Sequence, residues 1–216
     1  MVLPVLDAAR LDRLIDLVIG ADPLTIAAQV VPDVAHLLTP RSSFVHAALL
    51  VFPDDERDLV SALAGRGFRC SLPVPSTIVR DRLRIRNGLT EAPPVHIVHA
   101  HTTLADRTIR ELEIFVAPSE LTEAAARERV SETESHLAFA ADPTTDRVRE
   151  LCDVLSGDGM VRDGGGYNPH ENTTTLYFRR PRPTGYLYRI ELLCSGWYPE
   201  TLADHLDEQP LAAETA

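Results

Sequence analysis

Two stretches decide the fold: FVHAALLVFPDDERDLVSALAGRGFR at 44–69 and ESHLAFAADPTTDRVRELCDVLSGDGMVR at 134–162. When His46 is set against His136, a proline follows at the same offset in each, Pro53 and Pro143. An acidic–arginine pair then follows in step, Glu56-Arg57 and Asp146-Arg147. Each stretch closes on Gly-x-Gly, Gly65 and Gly67 in the first and Gly157 and Gly159 in the second, which has two more residues in between. Each copy thus reads as a strand, a helix and a glycine stop, and a repeat of this kind sets the architecture before any single motif does.

Both copies run on into β-rich sequence. The first continues as PVHIVHAHTTL (94–104) and IRELEIFVAP (109–118), the second as NTTTLYFRR (172–180) and GYLYRIELLC (185–194). Each ends on a strand with a carboxylate between aliphatics, Leu112-Glu113-Ile114 and Ile190-Glu191-Leu192. The pattern is βαβββ, twice. The fold class expected is therefore α+β, with two tandem βαβββ modules forming one cup-shaped sheet and an N-terminal helical layer added to it. The divisions are a helical extension (1–42), a first module (43–118), a linker helix (119–133), a second module (134–197) and a C-terminal tail (198–216). Apolar spacing predicts helices over 5–19 and 23–38, the second opened by Asp22-Pro23 as N-cap and first-turn proline. An Ala- and Glu-rich helix is expected over 119–131, and the tail reads as a short helix and a frayed end.

The period-two rule assigns faces. His46 shares a face with Ala48 and Leu50, and His136 with Ala138 and Ala140. In both copies a small residue follows the histidine on its own face and leaves space beside the imidazole. Glu111, Glu113 and Phe115 share one face of their strand, and Glu191 shares a face with Arg189 and Leu193. The opposite faces are the greasy ones, suited to packing under helices. A carboxylate in a central strand is costly unless paired, hydrogen-bonded or metal-bound. Two histidines and one or two glutamates converging on a concave face suit a divalent metal, whereas each histidine taken singly also fits a hydrogen-bonded core position.

The phrases VHAALLV, SHLAFAAD, LEIFVAP and RIELLC resemble the vicinal oxygen chelate superfamily, which includes glyoxalases, fosfomycin-resistance proteins and extradiol dioxygenases. The resemblance spans 43–194, with 70–94 departing from the expected second strand. It implies paired βαβββ modules, His46 and His136 as imidazole ligands and Glu191 as a carboxylate ligand. Glu113 matches the fourth ligand position of glyoxalase-like members. As a ligand, Glu113 implies lyase or isomerase chemistry on a small oxygenated metabolite chelated by the metal. As a bystander, it leaves a two-histidine, one-carboxylate set of the kind used with Fe(II) and oxygen. A metal-free role in small-molecule binding or drug sequestration is the third reading, since fold does not dictate function. The cofactor expected is a divalent metal, one of Fe, Zn, Ni, Co or Mn, and the superfamily's habits make a homodimer one expected arrangement.

Other residues compete for roles. His99 and His101 share a face opposed by His96, and a strand near a pocket mouth suits them better than ligation. GGGYNPHEN (164–172) offers His170 and Glu171 as an acid and base toward substrate, beside Glu113; the alternative is a polar hairpin connection. It is not a phosphate loop, because the GxGxxG spacing and the following lysine are missing.

Composition narrows the rest. Among 216 residues all 21 basic residues are arginine, and 32 acidic residues give a formal charge of −11. With no lysine, Schiff-base and P-loop lysine chemistry are excluded. The acidic balance argues against a nucleic-acid or anionic-membrane surface, although Arg80, Arg82, Arg84 and Arg86 permit a local patch. Most of the −11 is expected on solvated surface, notably 119–134 and the tail. Any anionic substrate would be met by the metal or by an arginine such as Arg189. Charges interrupt the apolar N-terminal stretch, so neither a signal peptide nor a membrane span is expected. Three well-separated cysteines, Cys70, Cys152 and Cys194, fit a reducing, cytoplasmic setting and structural roles.

Overall fold

The computed structural model describes residues 3–181 and 186–207. In chain order it contains α1 (Val5–Gly20), α2 (Pro23–Ala28), α3 (Ala35–Leu38), β1 (Ser42–Val51), α4 (Glu56–Gly65), β2 (Arg69–Cys70), β3 (Val74–Pro75), α5 (Thr77–Asn87), β4 (His96–Thr103), β5 (Ile109–Val116), α6 (Thr122–Ser131), β6 (His136–Ala141), α7 (Thr145–Gly157), β7 (Val161–Asn168), β8 (Thr173–Arg179), β9 (Arg189–Ser195) and α8 (Pro199–Asp207). The fold class is α+β. The chain divides into two compact units, one comprising the segment up to Gly20 with His46–Ser135, the other Ala21–Val45 with the chain from His136 onward. The part of the tail at 208–216 lies outside the described residues.

In the first unit the strand order is β2-β4-β5-β1, with β1 and β5 parallel and the other pairings antiparallel. The second unit repeats this as β7-β8-β9-β6, again with the first and last strands of the module parallel. The repeat extends to the helices. Asp55 and Thr144 cap α4 and α7 by accepting the backbone N–H groups of Arg57 and Arg147. The second glycine of each Gly-x-Gly, Gly67 and Gly159, takes a left-handed φ of 84° and 78° that a side chain would resist.

Three expectations need correction. The helix read over 23–38 is two helices, because Pro32 lacks an amide hydrogen and clashes with the preceding turn. Asp22 does cap the first of them, at 2.8 Å from the Thr25 amide. The second strand of the first module shrinks to β2 and β3, where Pro73 and Pro75 cannot donate to a ladder. The chain then forms a full helix, α5, capped by Ser76 and stopped by Gly88 at φ 61°. This extra helix changes which face is covered. Val79 and Leu83 of α5 and Ala124 and Ala125 of α6 form a core cluster with Ala48, Leu50 and Phe115. One end of the His46 face is therefore apolar and helix-covered rather than open.

The third correction concerns charge. Glu128, Glu132 and Glu134 are buried, not solvated, and so are Asp7 and Arg10. Asp7 accepts the Phe52 amide at 3.0 Å and two bonds from Arg129, at 2.9 and 2.7 Å. The Arg10 guanidinium donates to the Leu50 carbonyl at 3.0 Å and lies 3.4–3.5 Å from Asp7, Glu128 and Glu132. Glu134 takes Arg82 at 3.3 Å and Arg86 at 2.7 Å, so half of the expected arginine patch is committed inward. Burial, with Glu134 nearby, pushes the Glu128 carboxyl up to about 7. α1 is thus fastened to β1 and α6 by ions as well as by Leu11, Leu14 and Val18.

Candidate metal centre

Register explains how each unit brings a histidine and a glutamate together. Strand partners share a face of a sheet. In the first unit Ala48 is the partner of Glu113, and His46 that of Glu111. Glu113 therefore reaches His46 diagonally, across a methyl group that leaves room. The His46 Nε2 and Glu113 Oε2 atoms are 3.4 Å apart, with side chains 10% and 15% exposed. In the second unit Ala138 is the partner of Glu191, one diagonal step from His136. There His136 Nε2 and Glu191 Oε2 are 3.0 Å apart, at 2% and 7% exposure. The small residue two after each histidine is thus the space through which the carboxylate passes.

The flanking strand differs between the units. In the second, Tyr177 of β8 is the cross-strand partner of Glu191, and its hydroxyl donates to Glu191 Oε1 at 2.8 Å. The Tyr177 ring packs edge-on against His136, and the Arg189 guanidinium carbon lies 4.2 Å from the ring centroid. Arg189 is held by Asp163, with 2.9 Å to Oδ2 and 3.2 Å to the backbone carbonyl, and Arg179 donates to the other carboxylate oxygen at 2.9 Å. Arg189 is therefore engaged with Tyr177 and Asp163 rather than presented as an open anion receptor. In the first unit the residue partnering Glu113 is His99, and its Nδ1 pairs with Glu111 at 2.9 Å. The Glu111 carboxylate holds His99 above its ordinary pKa, and His99 in turn lowers Glu111. His96, on the opposite face, meets Glu56 at the start of α4 at 3.1 Å. The face assignments made from alternation are the observed ones.

His170 and Glu171 are exposed in the turn joining β7 and β8. The Asn168–Thr173 pair closes that hairpin, four residues along β8 from Tyr177, or roughly 13 Å at strand rise. The structure does not bring them to the His136–Glu191 pair. The glycines preceding them belong to β7, and each has a structural task. Gly164, at φ 97°, sits where the β7–β8 register shifts. Gly165 lies against Thr175 and Leu202, where a Cβ would come within 2.6 Å of the Thr175 carbonyl oxygen. The thiols of Cys152 and Cys194 are buried and pushed up to about 12, which removes them as nucleophiles at neutral pH. Among the described residues no helix is long and apolar enough to cross a membrane.

Tyr177 is the site residue that sequence reasoning missed. A signal was present: in TTTLYFR, Thr175, Tyr177 and Arg179 alternate with Leu176 and Phe178, which puts the tyrosine on the polar face.

No protein-family model matches the chain. No curated protein matches it either. Among solved structures it is similar to methylmalonyl-CoA epimerase of Streptomyces coelicolor in complex with 2-nitronate-propionyl-CoA, at 13% identity over 73% of this chain and 99% of that one, with a TM-score of 0.43. It is also similar to the methylmalonyl-CoA epimerase of Mycobacterium tuberculosis, at 12% identity over 74% and 91%, TM-score 0.40. A third similar structure is a mutant 4-hydroxymandelate synthase of S. coelicolor, at 12% identity over 77% of this chain and 54% of that one, TM-score 0.43.

Proposed function

We propose that His46, Glu113, His136 and Glu191 hold one divalent metal ion, and that the protein is a metal-dependent enzyme moving a proton on a small oxygenated metabolite, in isomerase or lyase chemistry. One observation carries this reading. Each unit, taken by itself, sets a histidine nitrogen and a glutamate oxygen at the separation that two ligands of one ion keep. Ligand atoms about 2.1 Å from an ion and about 90–110° apart around it lie about 3.0–3.4 Å from each other. The two pairs are 3.0 and 3.4 Å apart. A single pair supplies two ligands, whereas a zinc-like ion takes at least four, so neither pair suffices alone. The repeat doubles the pair and yields a nitrogen- and oxygen-donor set of the right number.

A bound divalent ion supplies Lewis acidity to a substrate oxygen. Glu113, the more exposed of the two carboxylates, is assigned to accept and return the proton. Ala48 and Ala138 keep the space beside the imidazoles, and the apolar cluster around Leu50 and Phe115 keeps water from one end of the His46 face. His170 and Glu171 take no part in this assignment. A second reading is favoured by the bond from Tyr177 to Glu191, which secures one carboxylate, and by the longer separation at Glu113. If Glu113 is a bystander, His46, His136 and Glu191 form the three-ligand set of an oxygen-dependent enzyme.

Metal analysis and calorimetry on the purified protein test both. The expected result is one ion per chain, with His46→Ala and His136→Ala each abolishing tight binding. Loss in one variant and retention in the other overturns the shared site. Zinc, nickel, cobalt or manganese with weakened affinity in Glu113→Gln supports proton-transfer chemistry, and a screen of small oxygenated acids should then find turnover without oxygen. Iron with oxygen consumption supports the second reading. Absence of metal binding supports a metal-free binding role instead.

A further inference from the structure

The cross-strand partner of each glutamate differs between the two repeats, and that difference is informative. In the second unit the position is Tyr177, which donates its hydroxyl proton to Glu191 Oε1 while Glu191 Oε2 faces His136 Nε2 at 3.0 Å. In the first unit it is His99, which bonds Glu111 and not Glu113. We propose that Tyr177 is a positioning residue for Glu191: it occupies one carboxylate oxygen and so aims the other into the ligand position beside His136, and Arg189 acts through it. The proposal rests on the metal reading above.

Tyr177 is itself fixed from several directions. Its backbone carbonyl accepts the His205 Nε2–H of α8 at 2.9 Å. Its ring face carries the Arg189 guanidinium at 4.2 Å, and its ring edge meets His136 with centroids 5.7 Å apart. Arg189 is in turn oriented by Asp163, which Arg179 also holds. A tyrosine hydroxyl on so restrained a ring is a fixed donor. A carboxylate with one oxygen bonded to a fixed donor has fewer orientations to lose on taking up an ion, which is how outer partners raise the affinity of a metal ligand. Among the described residues no tyrosine plays this part for Glu113. The second unit therefore holds the preorganised half of the ligand set.

The test compares wild type, Tyr177→Phe, Arg189→Lys and Tyr167→Phe. Tyr167 lies on β7 and its hydroxyl donates to Asn172, so its variant loses one hydroxyl away from the pair. Zinc affinity is measured by chelator competition, cobalt coordination by the visible absorption of the Co(II) form, and the fold by thermal unfolding without metal. In Tyr177→Phe a loss of zinc affinity of about 10- to 100-fold is expected, with an altered cobalt spectrum and an unfolding midpoint close to that of Tyr167→Phe. Arg189→Lys keeps the charge facing Asp163 but loses the planar stack on the ring, and a several-fold loss is expected. Should Tyr177→Phe fail to fold, Arg189→Lys decides. Wild-type affinity and spectrum in the folded variants overturn the role of Tyr177 while leaving the metal site standing. Failure of the wild type to bind any of these ions overturns the metal reading and this inference with it.

Discussion

His205 makes a prediction that needs no knowledge of ligand or substrate. It sits on α8, is 1% exposed, and its Nε2–H is shared between the carbonyls of Tyr177 at 2.9 Å and Gly164 at 3.0 Å. Burial pushes its pKa down from 6.5 to about 4; Arg162 adds to that effect, while the two acceptor carbonyls and Asp163 work against it. Because the folded pKa is depressed, the unfolded chain binds more protons than the folded one between those two values. Stability is therefore fully present above about pH 6.5, falls as the pH drops through the interval, and levels off below about 4. A gap of 2.5 pH units corresponds to about 3 kcal/mol in full, of which about 2 kcal/mol is lost between pH 7 and pH 5. The comparison that isolates this term is His205→Gln, whose amide nitrogen offers a donor near the Nε2 position and does not titrate. Denaturant unfolding of both proteins at pH 7 and pH 5 cancels the carboxylates that titrate alike in each. The wild type should lose about 2 kcal/mol more than the variant on acidification. Equal losses in the two proteins would refute the argument, because they would mean that His205 carries the same proton occupancy folded and unfolded.

Two further expectations concern stability. Arg10→Met removes the cation shared by Asp7, Glu128 and Glu132; Asp7 keeps Arg129 and Glu132 keeps Arg13, but the buried cluster loses its central charge and the bond to the Leu50 carbonyl, which should cost about 3–5 kcal/mol in denaturant unfolding at pH 7; Arg13→Met, which removes a half-exposed partner of Glu132, should cost less than about 1 kcal/mol. Gly165→Ala places a methyl 2.6 Å from the Thr175 carbonyl oxygen and 3.1 Å from Leu202, for a loss of about 1–3 kcal/mol by the same assay, whereas Gly166→Ala meets nothing within 4 Å and should be close to neutral.

What the sequence disclosed and what it hid divide along a physical line. Alternation and offsets are local quantities, so the Pro53/Pro143 and Gly67/Gly159 matches and the faces of His46, Glu113, His136 and Glu191 were legible, and strand register then placed each pair. α5 was hidden because arginine at every second position from 80 to 86 obscures a 3.6-residue period, even though Ser76 and Gly88 mark its ends. The glycine triplet reads as a loop by composition, yet it serves a bulged strand, because what requires Gly165 to be bare is the close approach of the Thr175 carbonyl on the paired strand, with Leu202 of α8 beside it, and neither approach is written in the local sequence. The acidic run ending at Glu134 reads as solvated surface for the same reason. A carboxylate's place in its own segment gives no indication that Arg10, Arg82 and Arg86 arrive from other elements to receive it.

The absence of lysine takes on a sharper meaning beside these contacts. Among the described residues, every cation that meets a buried carboxylate in the first unit, and every one around Asp163 in the second, is a guanidinium, and several do what an ammonium cannot. Arg10 spans three carboxylates and a carbonyl, while Arg189 stacks flat on Tyr177 and still holds Asp163. Both tasks need a planar, many-donor cation that keeps its charge when buried, whereas a buried ammonium shifts its pKa and discharges. The cations thus serve to orient other side chains, while histidine and carboxylate remain as the groups able to ligate an ion or move a proton. This is the division of labour that the roles proposed for the His46–Glu113 and His136–Glu191 pairs require, and it makes the Arg189→Lys substitution a test of geometry at constant charge.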